Sequence, residues 1–470
     1  MKGMSFALSV LLAGELASFG QDKPAGGRGH RLQGVTNTFN LSVPARAFDL
    51  LLVRPEAASM TLSVLAHEEM SAYVSYGPES AGETSRTLEV RIPRESPGLF
   101  VLDRLQENMP YGYTFHWRRP AAAEFASSSH RFHTARTPGS GFVFTLTADV
   151  HLDEHTSSQV YERSLANIRA DRPDFHLDLG NLFMTDKHAT RTEAEAQYAA
   201  QRYYLGRIGD SVPVMLALGT HDGEAARYDD VTAECLATWA NLTRKRYFLN
   251  PVPDAFFSGN GTAKAQCGLP QNYYAWHWGD ALFVVLDPFG YSNSQRGGKD
   301  GWGWSLGPAQ YQWLARTLEQ SRARFKFVFI HNLLCGDAAA RGGVEVAAFN
   351  EWGGRNLDGT EGFKAHRPGW AEPVHALLVR NHVAAVFKAH DNFYARQELE
   401  GILYLMVPQP SFAGNDRIRD LENYGYKQGV LLGNSGHVRV GVSPDQATVE
   451  YVKATQPRAV ADRCTISFKR

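Results

Sequence analysis

From Gly141 onward the sequence carries five apolar runs, each closed by polar residues at its C-terminal end. They are Phe142 to Ala148, Phe175 to Leu179, Val212 to Leu218, Phe325 to Ile330 and Val383 to Phe387. Runs of this kind suit strands buried on both faces, where no alternate side chain has to meet water. Helical periodicity lies between them. Tyr311, Leu314, Ala315 and Leu318 follow the i, i+3, i+4, i+7 spacing behind Pro308, which takes the favoured first-turn position. Strand alternating with helix predicts an α/β domain with a largely parallel sheet over residues 141–455. Its chain closes in β hairpins, with Val438, Val440 and Val442 alternating before Pro444-Asp445, then Val449 and Tyr451. A tail of residues 456–470 follows.

The grammar before Gly141 is different. Tyr111, Tyr113, Phe115 and Trp117 share one strand face by the period of two, and Leu62, Val64 and Ala66 alternate in the same way, as do Leu88, Val90 and Ile92. Gly-Pro and Ser-Pro turns divide these runs, so residues 32–137 read as a small all-β sandwich that ends at Thr137-Pro138-Gly139-Ser140-Gly141. Residues 21–31 read as a linker. Ahead of it, Lys2, the short apolar stretch Met4 to Ala13, and the small residues Ser18 and Gly20 read as an export signal cut before Gln21. That predicts a secreted or periplasmic protein.

Two function classes find no support in composition. With 48 Lys and Arg against 49 Asp and Glu, there is no electrostatic case for a nucleic acid partner or an anionic membrane surface. No later segment is long and apolar enough for a membrane helix. The cysteines (Cys235, Cys267, Cys335, Cys464) form neither a disulfide framework nor a CxxC zinc site, and whether two of them pair is left open.

Functional groups of α/β sheets collect at the carboxyl ends of strands. Here those ends read Asp149-Val150-His151, Gly180-Asn181, Gly219-Thr220-His221-Asp222-Gly223, His331-Asn332 and Lys388-Ala389-His390-Asp391-Asn392. Carboxylate, imidazole and amide groups are thus delivered to one rim. One histidine after a strand is usually structural; a series of such ends points to a site.

In order and placement these ends resemble the calcineurin-like metallophosphoesterase signature: D-x-H, G-D, G-N-H-[DE], an isolated H, then G-H-x-H. The match runs from Phe142 to about Phe412. The resemblance implies a four-layer αββα domain, and the preceding sandwich is similar to the fibronectin-like domain of purple acid phosphatases and related secreted phosphodiesterases. It implies two iron, manganese or zinc ions that activate a water against a phosphate monoester or diester, a small-molecule substrate. Asp149 and His151 would bind the first metal, and His331 and His390 the second. His221 would protonate the leaving group, with Asp222 orienting its ring.

Three positions depart from that pattern. Asn181 stands at the bridging carboxylate, Thr220 at the amide ligand of the third motif, and Asn392 where a second histidine would ligate the first metal. A shared carboxylate lowers the repulsion between two cations and a neutral amide does not, so metal binding is expected to be weakened. Asp153, His155, Asp178, Asp186 and Asp391 lie near enough in sequence to be considered as substitutes. A metal-dependent hydrolase with a degenerate site and an inactive relative that keeps the pocket for a ligand or protein partner are the two functional expectations.

Other motifs read as structural. Gly303-Trp304-Ser305-Leu306-Gly307 has the nucleophile-elbow spacing but follows a loop, so Ser305 or Gly307 is expected to cap the helix at Pro308. Glu154, between His151 and His155, is in the wrong place for a metalloprotease pair. His130 and His133 are expected on the surface, and Lys388 as a solvated strand-end lysine.

Overall fold

The computed structural model describes residues 37–225, 232–292, 300–336, 339–414, 418, 421 and 423–468. The expected export signal and linker, and Gly297 to Lys299 of the Gly/Trp loop, lie outside the described residues. Asn37–Arg470 form one compact unit.

The first part of this unit is built of two antiparallel sheets. One orders Phe48–Val53, Met60–Ala66 and Pro97–Leu102; the other pairs Met70–Pro78 with Pro110–Arg118 and then Ala126–His133. Tyr111, Tyr113 and Phe115 are buried between the sheets with Leu50, Leu62 and Val64. The Met60–Ala66 strand is buried throughout rather than on alternate residues. The outer face of its sheet explains this: Leu65, with Leu51 and Val53 of the neighbouring strand, packs with Tyr161, Leu165 and Tyr198 of the two helices described next. Leu88 is 79% exposed, because the strand there starts only at Val90.

Beyond Gly141 two sheets stack face to face. The first orders Val214–Leu216, Phe175–Asp178, Phe142–Thr147, Gly436–Val442, Gln446–Lys453 and Val460–Ser467. Its first three strands are parallel, and the closing hairpins join antiparallel, with Val440 opposite Phe144. Ala281–Val285, Phe325–Ile330, Ala385–Lys388 and Ile402–Met406 form the parallel centre of the second sheet, with antiparallel strands on both flanks. Both sheets are therefore mixed, not largely parallel. Aromatic side chains fill the space between them: the Phe144 ring meets Phe283 edge-on at 5.2 Å and reaches Phe329 and Phe387. Helices Ser158–Asp171 and Arg191–Gly209 cover the first sheet. Gly307–Gln320 and Val374–Arg380 cover the second, so the layers run helix, sheet, sheet, helix. Leu306, not Ser305 or Gly307, holds the N-cap of the Gly307–Gln320 helix and makes no side-chain cap, while Ser305 Oγ, just before it, accepts the Gly307 N–H.

Within the first sheet His176 sits between two threonines, Thr145 at 3.0 Å from Nδ1 and Thr147 at 2.9 Å from Nε2. Burial, with His437 adding to it, pushes its pKa down to about 3, so the folded ring is neutral. An unfolded imidazole titrates near ~6.5, so between those values the unfolded chain binds the extra proton. This stabilisation is complete above pH ~6.5 and is lost as pH falls toward 3, at about 1.4 kcal/mol per unit. Urea unfolding of wild type and His176→Asn should show their stability difference shrinking by that slope in acid. A difference independent of pH would mean that the sheet accepts the charged ring.

Candidate functional site

The strand ends meet at one rim through backbone packed on backbone. A Cβ on Gly180, whose φ is +97°, would lie 2.3 Å from the Gly219 nitrogen, so these two loops close only without side chains there. Asp222 then ties them. Its carboxylate accepts the N–H groups of Asn181 at 3.0 Å, Phe183 at 3.0 Å and Gly219 at 2.7 Å. Burial raises its pKa to about 6 against these hydrogen bonds. Asp222 is thus a loop clamp and does not orient His221, because all its contacts are spent on backbone. That orienting position belongs to Asp186, whose oxygens lie 3.0 and 3.2 Å from His221 Nδ1. Burial lowers the His221 pKa and Asp186 partly restores it.

Backbone strain marks the same residues. Asp149, His151, Asn181, His390 and Asn392 all have positive φ, between 56° and 86°. Such a conformation costs a non-glycine residue about 1–2 kcal/mol and persists where the surroundings demand it. Five of the expected site residues share it.

Asp149 is the centre. Its Oδ1 accepts from Asn181 Nδ2 at 2.8 Å and its Oδ2 from the His390 N–H at 2.8 Å. His151 Nε2 and His331 Nε2 face that Oδ1 at 3.5 and 3.9 Å. Asp149 is fully buried, which opposes its charge, yet His331 and His151 hold its carboxyl well below the usual range. Conversely, against its own burial, Asp149 and Asp153 pull His151 up to about 9. Burial pushes His331 down to about 4. Its Nδ1 donates to the Leu179 carbonyl at 2.7 Å, which leaves Nε2 as a bare acceptor.

The expected second-metal group is arranged differently. His390 gives Nε2–H to the Ala339 carbonyl at 2.7 Å and takes the Thr220 hydroxyl at Nδ1, 3.1 Å away. Both nitrogens of this expected ligand are used, and so is Thr220. Asn181 is equally committed, since its Oδ1 accepts the His221 N–H at 2.7 Å. Asn392 differs: its Oδ1 is buried without a hydrogen-bond partner, as are His151 Nε2 and His331 Nε2.

Among the described residues, no three His, Cys, Asp or Glu side chains are drawn together at the spacing of a formed metal site. Neighbouring ligands at metal bonds of about 2.1 Å stand roughly 3.0–3.4 Å apart, slightly less than the separations around Asp149. Asp149 with the His331 Nε2 and the His151 ring is the part of this set open to a cation, which would take the place of the His151 proton. Asn181, Thr220 and His390 are already hydrogen-bonded elsewhere.

The other nearby carboxylates are committed to partners of their own. Asp153 backs His151 Nδ1 at 3.3 Å, and Asp178 accepts from Thr147 and from the Gly180 N–H. Asp391 accepts from Arg341, Tyr426 and Lys388, whose ammonium is buried and also bonds the Gly342 carbonyl. Lys388 is therefore an internal tie rather than a solvated residue. His155 is exposed, and His130 pairs with Asp210 at 3.2 Å instead of lying free on the surface.

No known protein family matches the chain by sequence, and neither does any curated protein. Solved structures do resemble it. A purple acid phosphatase from yellow lupin (Lupinus luteus) seeds superposes with a TM-score of 0.59 at 12% identity, over 89% of this chain and 74% of that one. PhoD superposes with a TM-score of 0.62 at 14% identity, over 90% of this chain and 92% of that one. The likeness is one of fold: a mixed α/β architecture of several sheets that this chain shares with both.

Proposed function

We propose that this chain is a metal-dependent phosphoric ester hydrolase of small-molecule monoesters or diesters, with metal binding weakened by Asn181, Thr220 and Asn392. The observation that carries this reading is the His221–Asp186 pair, 3.0 Å apart, with the His221 ring 6.5 Å from that of His151. A proton donor and a set of metal-type ligands thus share one rim, on a fold that a purple acid phosphatase also has. Asp149, His151 and His331 would hold the cation. When bound, it supplies a water of lowered pKa and polarises a phosphoryl oxygen. Asp186 fixes the His221 ring through Nδ1, so Nε2 of the protonated ring is the nitrogen that would deliver a proton to the leaving oxygen, the ring returning to its neutral Nδ1–H form.

A second reading is a non-hydrolytic binder of a phosphate-bearing ligand. Asn181 favours it, since it brings an amide where the resemblance implies a carboxylate, and that amide donates to Asp149 Oδ1 at 2.8 Å. Export to a secreted or periplasmic location is part of the proposal and rests on Met4 to Ala13 with Ser18 and Gly20. No helix among the described residues is long and apolar enough to cross a membrane.

The purified chain, supplied with manganese, iron or zinc, is expected to hydrolyse a chromogenic phosphate monoester or diester. Absence of turnover, with inorganic phosphate still raising the melting temperature, would replace the hydrolase reading by the binding one.

A further inference from the structure

Residues 38–40 lie against two of the segments that build the rim. On one side, Phe39 forms an antiparallel bridge with Asp153, and the Asn40 N–H donates to the Leu152 carbonyl at 2.8 Å. The Thr38 N–H donates to Glu154 Oε2 at 3.0 Å. Asp153 is the carboxylate behind His151 Nδ1, 3.3 Å away. On the other side, the Phe39 ring stacks on His188, with centroids 4.0 Å apart and planes at 25°. Two residues before His188 stands Asp186, which holds His221 Nδ1 at 3.0 Å. One short stretch thus touches segment 151–155 and segment 184–188, and each of these carries the carboxylate that backs a rim histidine.

A hydrogen-bonded path joins the same two segments from within. His188 Nε2 lies 2.6 Å from Gln197 Oε1, and buried Gln197 donates its Nε2 to the His151 carbonyl at 2.6 Å and to the Leu182 carbonyl at 2.8 Å. An amide has one accepting oxygen and one NH₂, so the His188 Nε2–H at Oε1 fixes which end of Gln197 meets the two carbonyls. Phe39 packs on the ring that supplies this donor. Behind it, Leu41 and Val43 pack on the core cluster of Leu152, Phe183 and Tyr198. The stretch is anchored there, and Phe39 bears on His188. The rings of His151 and His221 stand 6.5 Å apart at 83° to each other.

We infer that residues 38–40 are a latch across these two segments and that Phe39 is a positioning residue. By packing on His188 and pairing with Asp153 it holds Asp186 and Asp153, and through them His221 and His151, in one spatial relation. Phe39 acts through these neighbours and not on the reacting groups. A proton donor works only within hydrogen-bond reach of the leaving oxygen, and a misplacement of about 1 Å can cost roughly 10²-fold in rate. The latch stands on the contacts themselves; its effect on turnover rests on the hydrolase reading.

The test compares the full chain with Phe39→Ala, Phe39→Tyr, His188→Ala and the double variant Phe39→Ala with His188→Ala. Amide hydrogen exchange read by mass spectrometry reports on the latch without any need of turnover. In Phe39→Ala, exchange in residues 151–156 and 184–188 should rise together by roughly 2- to 12-fold, the factor equivalent to one aromatic pair. The strands Phe142–Thr147 and Phe325–Ile330 should keep wild-type protection. Phe39→Tyr keeps the ring and should match the wild type. The double variant should exchange no faster than the faster single one, since each single change already removes the stack. Turnover gives the second reading. Phe39→Ala should lose about 10- to 100-fold in kcat on an alkyl phosphate ester and clearly less on a nitrophenyl ester, because the alkyl leaving group depends on the His221 proton. A mere loss of folded protein would lower both rates equally. Unchanged exchange in either segment, or additive effects of Phe39→Ala and His188→Ala, would overturn the latch. Faster exchange with equal losses on the two esters would overturn the positioning role. No turnover by the wild type would remove the hydrolase reading and the effect on rate with it, and the exchange result would still uphold or overturn the latch.

Discussion

Replacing His221 by alanine is expected to slow phosphoester turnover about 10²- to 10⁴-fold, the range by which a positioned proton donor contributes. The physical reason lies in the leaving oxygen, which departs as a costly alkoxide unless it is protonated as the bond breaks. His221 Nδ1 is fixed on Asp186 at 3.0 Å, and the side chain remains about one-fifth exposed, so Nε2 is open to a substrate. The loss should shrink with a nitrophenyl ester, whose leaving group needs little help, and grow with an alkyl ester. Cation content should stay unchanged, because His221 is not among the groups around Asp149. Asp186→Asn should give a partial defect, since an amide still holds the ring but no longer supports its charge. Steady-state kinetics on two esters of unlike leaving group, with metal analysis of the same samples, would decide it. Full activity of His221→Ala on the alkyl ester removes His221 from the mechanism.

The second large effect concerns the loop that carries His221. Glu224 follows His221 in the same segment and is buried against Arg244, with side-chain exposures of 2% and 0%. Arg244 holds it through two nitrogens and also reaches the Pro270 carbonyl at 2.8 Å, while Asn241 Nδ2 supports Glu224 at 2.8 Å. Arg244→Met leaves a carboxylate buried without its counter-charge and should cost about 3–5 kcal/mol. Exchanging both partners, Arg244→Met with Glu224→Leu, should recover most of that, because the isolated charge is gone. Urea unfolding midpoints of the wild type, the single and the double variant test this. A double variant as unstable as the single one would show that the pair acts by packing and by its bonds to Pro270 and Asn241.

Much of the architecture was legible because burial writes itself into composition. Phe142 to Ala148 and Phe325 to Ile330 are apolar along their length because a sheet face covers each side, and they are strands. The Tyr111, Tyr113, Phe115 alternation is likewise the inner face of a strand. Met60–Ala66 was less legible: it reads as half-buried, yet helices cover its second face, and no local pattern announces a cover supplied from residues 158–209. Nor do Val438, Val440 and Val442 state their partner. Only their docking on Phe142–Thr147 made the first sheet mixed.

The site divides in the same way. Sequence alone determined which chemical groups stand at the strand ends, an amide at Asn181 among them. Strand order and the residue after each strand are local properties, so they survive without coordinates. Tertiary structure decided where those groups point. Asp149 meets His390 across 241 residues and Asn181 across 32, and each contact excludes another. His390 has two nitrogens, and Thr220 and Ala339 take both. Asp222 has two oxygens, and three backbone N–H groups take them, which leaves the His221 ring to Asp186. Hydrogen-bond capacity is finite and its assignment is a competition among distant groups, which no spacing along the chain records.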